Sequence, residues 1–417
     1  MKKILVHGNT KLSGKIKIQG AKNAVLPILS ASILAEGDCV LKNCPRLSDV
    51  YNTINILNFI GHDVDFCDNI LTVHENNNFN GVVPDNLIRK MRSSILFMGA
   101  LLNKYGYVKI TLPGGCELGA RPIDLHLKAF EQLGVRINEH YGYYECYCDA
   151  VVGDDVYLDF PSVGATENIM ILACRCKGKT VIHNAAKEPE ITDLQFFLNS
   201  MGAKISGCGT DTIIIEGVSK LSGTEYTIMP DRIVTATYLI AGAITNSEIL
   251  ITNTCTDDLI AVISILNRCG FDIVHDNNNI KICSNSNIKS IDLIRTMPYP
   301  GFPTDVQSII TPLLCLADGT SIITENLFEN RFKHISELNR MGADVCVMER
   351  NAIIRGVDKL YGTNVTASDL RGAAGLIVAG LAAEGDTVVD GVEYLERGYD
   401  SLVENLNSLG AKIIYTS

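Results

Sequence analysis

Residues 112–122, LPGGCELGARP, hold three glycines, two prolines, one thiol and one guanidinium in eleven positions. Cys116 on such a Gly-rich loop, five residues before Arg121, is placed unlike the other cysteines of the chain, most of which sit in apolar stretches. Exposure and nearby positive charge lower a thiol's pKa and make it a nucleophile or proton donor. An inert loop cysteine has the same local signature. A second segment, residues 297–305 (MPYPGFPTD), sets three prolines and a glycine ahead of Asp305. Stiff backbone that pins a carboxylate suits a general base, for which position comes before pKa; an ordinary helix cap is the alternative.

Anion-binding features recur along the chain. In IQGAKNA, residues 18–24, a glycine turn enters an Ala/Leu-rich helix with Lys22 and Asn23 in its first turn. A cation is disfavoured there by the helix dipole unless an anion lies on it; a solvated surface lysine is the plain alternative. In PSVGATEN, residues 161–168, Ser162, Val163 and Gly164 open another helix, where free N–H groups and a hydroxyl can take a phosphate or simply cap the helix. Arg92, Arg331, Arg371 and Arg397 form a basic group, several of them expected at turns flanked by Gly or Asn. Arginine grips carboxylate and phosphate through a planar fork, so several converging would hold a small polyanion. Convergence is a tertiary property that the sequence alone leaves open.

These residues are carried by a repeat. Leu-Asn-x-x-Gly followed by apolar alternation begins at Leu57, Leu198, Leu266, Leu338 and Leu406, with a looser copy at Phe130. The marker glycines Gly61, Gly134, Gly202, Gly270, Gly342 and Gly410 are 73, 68, 68, 72 and 68 residues apart. An apolar run closed by glycine and followed by alternation predicts a helix, a left-handed cap and a strand. A second mark, 23–28 residues upstream, falls at Gly37, Gly106, Gly178, Asn246, Gly319 and Gly385. There a small-residue helix gives way to a β-branched strand. Six units of about 70 residues exceed solenoid periods and predict two α/β domains of three units each, a single long α/β array being the other solution. The Asn-rich stretches 75–80 and 276–279 are expected at hairpin tips.

Composition narrows the function. With 417 residues, 47% hydrophobic and 20% charged, the chain is expected to be globular with more than one domain. A net charge of −11 opposes nucleic acid and anionic membranes, so any anionic ligand needs local positive charge. The start MKKILVHG has an apolar run of three residues and the longest apolar stretch spans 373–383, short of a signal core or a membrane span. A cytoplasmic location with reduced cysteines is therefore expected. The close pairs Cys146/Cys148 and Cys174/Cys176 are C-x-C, not zinc spacing.

Taken together, GAKNAVLPIL (20–29), KMRSSI (90–95), LPGGCELGARPIDLHL (112–127), SVGATENIM (162–170), AAKEPEITDL (185–194), MPDRIVTATYL (229–239), YPGFPTDVQ (299–307), ENRFKHISEL (329–338), ASDLRGAAGLIVAGLA (367–382) and ERGYDSL (396–402) resemble the enolpyruvyl transferase family over essentially the whole chain. The Cys loop followed by Arg-Pro-x-Asp-Leu-His-Leu is the most specific of these. The resemblance implies two similar domains, each of three βαβαββ units in an inside-out α/β barrel. One would comprise 1–21 and 230–417, and the other the insert 22–229, with the active site in the cleft between them. It implies phosphoenolpyruvate and UDP-N-acetylglucosamine as substrates in peptidoglycan synthesis, and no metal or organic cofactor. No nucleic-acid or membrane partner is expected, and the oligomeric state is left open.

By the same resemblance, Asp305 would take or relay the sugar hydroxyl proton, and Cys116 would act at C3 of the enolpyruvate or form a covalent adduct with it. Lys22, Arg92, Arg121, Arg331, Arg371 and Arg397 would hold phosphate and carboxylate, with Lys22 and Arg397 among the catalytic groups. Asn23, Glu188, Val306 and Asp369 would help orient substrate. Arg121, Pro122, Asp124, Leu125 and His126 would lie near the uracil, and Ser162, Val163 and Gly164 near the diphosphate. Phe160 departs from the family pattern, standing where many members carry a lysine for the nucleotide phosphates, which leaves more of that load to residues 162–164. Closure of the Cys116 loop over bound nucleotide is also implied. The sister activity on shikimate 3-phosphate lacks the PGGC loop, and a silent sugar-nucleotide sensor would not need Lys22, Cys116, Asp305 and Arg397 together.

Overall fold

A computed structural model of the chain describes residues 3–75, 82–111, 123–283, 285 and 287–416. They divide into two compact units, one built from residues up to Gln19 together with those from Pro230 onward, the other from the insert 20–229. The boundary thus falls between Gln19 and Gly20, two residues ahead of the expected 21/22. The chain leaves and returns on paired strands of backbone: Ala21 N–H donates to Met229 O at 2.8 Å within the insert, and Asp231 N–H to Gln19 O at 3.0 Å within the other unit. Gly20 belongs to the insert because its Cα packs on Asn43, whose carbonyl oxygen would lie 1.9 Å from any added Cβ.

Among the described residues each unit has three sheets and three inner helices. In the insert the inner helices are α1 (Lys22–Ser32), α2 (Leu96–Tyr105) and α3 (Val163–Ala173). In the other unit they are α4 (Arg232–Ile244), α5 (Thr304–Cys315) and α6 (Leu370–Ala382). All thirteen residues of α4 are buried, as are eleven in α6, and a helix apolar on every side is stable only inside a core. Small residues let these helices touch: at Gly375 of α6 an added Cβ would stand 2.3 Å from Ser308 O of α5.

The sheets share one plan. A lone strand runs parallel to a second, which pairs antiparallel with a third, itself antiparallel to a fourth. Thus Ser13–Lys17 lies parallel to Glu248–Thr252, followed by Asn279–Ile282 and Ile273–His275. Ile294–Arg295, Thr320–Thr324, Asn351–Arg355 and Asp344–Met348 repeat it. In the insert, Ser222–Thr227 beside Glu36–Lys42 and Asp155–Tyr157 beside Lys179–His183 start two such sheets. The third insert sheet (Tyr107–Thr111, Tyr143–Tyr147, Arg136–His140) has, among the described residues, a single parallel bridge from Val82 to Lys109 in place of the lone strand. The remaining sheet takes Asn364–Thr366 and Asp386–Asp390 from the end of the chain, then Lys3–His7 from its beginning, then Ile413–Thr416.

The sequence marks fall where this plan requires them. All six Leu-Asn glycines have φ between 91° and 105°, and the upstream marks have φ from 47° at Asn246 to 103° at Gly37. This is the left-handed region open to glycine and tolerated by asparagine. Asp276–Asn279 turns one hairpin, with Asp276 Oδ1 accepting from the N–H groups of Asn278 and Asn279 at 2.9 and 2.8 Å. Most of the other Asn-rich stretch, 75–80, lies outside the described residues.

Candidate functional site

The unit containing α4, α5 and α6 gathers four of the expected site residues. Asp305 is the second residue of α5 and does not cap it; Pro303 holds the cap position. Its Oδ1 accepts from Arg331 Nη2 at 2.8 Å and its Oδ2 from Arg371 Nη2 at 3.4 Å. Both guanidiniums are buried, at 2% and 3% side-chain exposure, whereas Asp305 keeps 28%. Arg331 also donates from Nε to Thr304 O at 3.3 Å and lies 4.0 Å from Asp369 Oδ1. Glu325, itself buried, shapes the turn leading to Arg331. It accepts from Leu327 N and Phe328 N at 2.8 and 3.1 Å and from Thr304 Oγ1 at 2.9 Å.

Asp369 caps α6 through Oδ1, which accepts from the N–H groups of Arg371 and Gly372 at 3.0 and 3.1 Å. That bond fixes where Arg371 starts, and its guanidinium carbon comes to rest 5.4 Å from the Tyr399 ring centroid. His334 is buried beside this group, and burial, partly offset by the Asp369 charge, pushes its pKa down to about 4. Val306 is fully buried in the core and its N–H is bonded to Pro303 O at 3.0 Å. Arg397 ends a short 3-10 turn, Val392–Arg397, and is half-buried.

In the insert, Lys22 opens α1 and its Nζ lies 2.9 Å from Asp49 Oδ2, a carboxylate 3% exposed. Here the anion that justifies a lysine at a helix start is a protein side chain. Asn23 follows in the same turn, half-buried. Arg92 begins the 3-10 turn Arg92–Ile95 ahead of α2. Asn168, buried on α3, ties this region together: Nδ2 donates to Ile95 O and to His126 Nδ1, both at 3.0 Å, and Oδ1 accepts from Gly99 N at 3.0 Å. A His126 Nδ1 that accepts leaves the proton on Nε2, and burial, aided by the Arg92 charge, drives the ring pKa down to about 3.

His126 also adjoins the other expected nucleotide segment, since a Cβ on Gly164 would be 3.6 and 3.7 Å from the imidazole Cε1 and Nε2. Ser162 caps α3, its Oγ accepting from Ala165 N at 3.4 Å; Val163 and Gly164 form the first turn of that helix. Asp124 is exposed at the head of the helix Asp124–Gln132, Leu125 is half-buried beside it, and Phe160 is exposed ahead of Ser162. Glu188 stands at the cap position of the helix Pro189–Ser200. Near it Glu167 is buried, and desolvation, with the Glu190 and Glu188 charges, raises its pKa far above the carboxylate range.

Cys116, Arg121 and Pro122 lie outside the described residues. The thirteen described cysteines are all unbridged and eight are buried. Burial pushes Cys39 up to about 11 and Cys146 and Cys315 to about 12, so these thiols are inert at neutral pH. Sequence reading did not single out Asp49, Asn168, Glu325, His334 or Tyr399. The available signal was polarity inside an apolar helix, as with Asn168 in VGATENIMILA. No described helix is long and apolar enough to cross a membrane.

Comparison with known proteins shows the class to which this fold belongs. The EPSP synthase (3-phosphoshikimate 1-carboxyvinyltransferase) family matches residues 6–406, and the chain belongs to this family of enolpyruvyl transferases. Within it, the chain is 53% identical over 414 residues to UDP-N-acetylglucosamine 1-carboxyvinyltransferase 2 of Caldanaerobacter subterraneus subsp. tengcongensis, with 99% of each chain covered. It is 46% identical over 415 residues to the enzyme of the same name from Carboxydothermus hydrogenoformans, again with 99% of each covered. Among solved structures, the enolpyruvyl transferase NikO from Streptomyces tendae shares the fold with a TM-score of 0.90 at 23% identity, over 100% of this chain and 99% of that one. EPSP synthase from Acinetobacter baumannii does so at 0.80 and 18%, over the full length of both.

Proposed function

We propose that the chain transfers the enolpyruvyl group of phosphoenolpyruvate to the 3-hydroxyl of UDP-N-acetylglucosamine and releases phosphate, in the cytoplasm, as the first committed step of peptidoglycan synthesis. The observation that carries this reading is Asp305, a partly exposed carboxylate at the head of α5 oriented by two buried guanidiniums. The full-length likeness to the UDP-sugar enzymes favours that acceptor over shikimate 3-phosphate. In the addition step C3 of phosphoenolpyruvate gains a proton from the Cys116 thiol, the sugar oxygen bonds to C2, and the hydroxyl proton passes to Asp305. In the elimination step C3 returns a proton to the Cys116 thiolate, the C2–O bond to phosphate breaks, the proton on Asp305 leaves with the phosphate, and enolpyruvyl-UDP-N-acetylglucosamine remains.

The Asp305 oxygen held at 3.4 Å, rather than the one at 2.8 Å, is the natural proton acceptor. Its guanidinium partners hold the carboxylate in place for that transfer. Lys22, Arg92, Arg121, Arg331, Arg371 and Arg397 are assigned to the phosphate and carboxylate of phosphoenolpyruvate, and Asn23, Glu188 and Asp369 to orienting substrates. Cys116 is assigned to C3. Asp124, Leu125 and His126 with Arg121 and Pro122 are assigned to the base, and residues 162–164 to the diphosphate. His126 fits that assignment as a neutral donor from Nε2. Phosphate release is measured with phosphoenolpyruvate and either acceptor. Turnover is expected with UDP-N-acetylglucosamine alone, and turnover only with shikimate 3-phosphate would overturn the assignment.

A further inference from the structure

We propose that Gln19 is a positioning residue for Arg397, an inference that rests on the reading above in which Arg397 holds phosphoenolpyruvate. Gln19 is the last residue of its unit before the chain passes into the insert. Its main-chain oxygen accepts from Asp231 N at 3.0 Å, so its backbone is fixed beside the cap of α4. Its side-chain amide reaches a segment about 380 positions away. Oε1 accepts from Asp400 N at 2.7 Å and Nε2 donates to Gly398 O at 3.2 Å. One side chain thereby makes both hydrogen bonds that a neighbouring strand would make to the main chain on either side of Tyr399.

The segment so bridged begins at the Gly398–Tyr399 peptide, one peptide beyond the bond that joins Arg397 to Gly398. Its far side is anchored independently: Tyr399 Oη lies 2.9 Å from Thr237 Oγ1, Asn405 Nδ2 donates to Asp400 O at 3.1 Å, and Gly398 packs so closely that an added Cβ would lie 2.6 Å from Leu370 Cδ2. Arg397 is half-exposed at the near end, where the turn Val392–Arg397 finishes. The Gln19 amide therefore fixes the direction in which the chain leaves Arg397. Because Gln19 is itself half-buried, a side chain of similar length that makes no hydrogen bonds takes its amide away from the Asp400 N–H and Gly398 C=O without opening a cavity in the core. Such a change loosens the geometry of one residue and leaves the fold in place.

The test uses the full chain as parent, Gln19→Met, Gln19→Glu and Arg397→Ala. KM for phosphoenolpyruvate, KM for UDP-N-acetylglucosamine and melting temperature are measured for each. Gln19→Met removes both hydrogen bonds at similar length and is expected to raise KM for phosphoenolpyruvate about 5–30-fold, the factor that two modest interactions supply. KM for the UDP-sugar should stay within about twofold of the parent value. Gln19→Glu keeps the acceptor for Asp400 N and should recover part of the loss. An unchanged KM for phosphoenolpyruvate in Gln19→Met, or an equal rise in both KM values together with a lower melting temperature, overturns the positioning role. Arg397→Ala separates this failure from that of the parent reading: if it turns over like the parent, Arg397 is not in the site and the inference falls with it.

Discussion

Replacing Asp305 by alanine should reveal how much of this unit's stability depends on one carboxylate. The change strands two guanidiniums that are 2% and 3% exposed, leaving Asp369, 4.0 Å from Arg331, and the Asp231 charge acting on Arg371 among the described residues. Breaking a buried ion pair from one side costs about 3–5 kcal/mol. Solvent screens Asp305 itself, which is 28% exposed, so the lower figure, about 3 kcal/mol, applies. For a unit of this size that corresponds to a fall of roughly 6–12 °C in its melting temperature. Asp305→Asn keeps an oxygen that can accept from one guanidinium and should lose about half as much. The emptied position becomes an anion trap, so inorganic phosphate at about 100 times its dissociation constant should return about 2.7 kcal/mol to the alanine variant. The chain has no tryptophan, so circular dichroism is the readout. A variant that melts within 2 °C of the parent, as an order-of-magnitude limit, and ignores phosphate would show that Asp305 does not hold the two arginines.

Two further outcomes follow from buried groups. Burial lowers His126 to about 3 and His334 to about 4, below the ordinary value near 6.5. As pH falls below about 6.5 the unfolded chain takes up these protons first, so the stabilisation is complete above that pH and is lost towards the folded values. At pH 5 each histidine should account for up to about 2 kcal/mol of lost stability. His334→Gln and His126→Gln should therefore flatten the melting profile between pH 4 and about 6.5; an unchanged slope would contradict their burial as neutral rings. Gly375→Ala, which forces a Cβ to 2.3 Å from Ser308 O, should cost about 2–3 kcal/mol in urea titrations. Gly385→Ala, at φ 90° with open space around it, should cost only about 1–2 kcal/mol of backbone strain. Equal midpoints for the two would show that α5 and α6 can separate without penalty.

The architecture could be read from the sequence because its punctuation is local. A left-handed residue is needed wherever an outer helix turns back into a strand or an inner helix gives way to one. Glycine answers that need in eleven of the twelve marks, with Asn246 doing so at φ 47°. The assignment of Asp305 was open for the opposite reason. Its partners Arg331 and Arg371 lie 26 and 66 positions away on other elements, and no periodicity in the sequence brings them together. Lys22 was legible as a cation that needs an anion, yet Asp49, in the next helix, could not be told from any first-turn acid. Gln19 had no signal at all: a polar residue at a strand end is ordinary until Asp400 and Gly398 are seen against it.

The strand Lys3–His7 sits between Asp386–Asp390 and Ile413–Thr416, paired with both. During synthesis Lys3–His7 therefore waits until Asp386–Asp390 and Ile413–Thr416 have emerged before its sheet can form. The insert closes its own first sheet much earlier, when Ser222–Thr227 meets Glu36–Lys42. Synthesis thus imposes an order of assembly in which the insert matures before the sheet that joins Lys3–His7 to Ile413–Thr416. Loss of Ile413–Thr416 would turn Lys3–His7 from an inner strand into an edge strand held by Asp386–Asp390 alone.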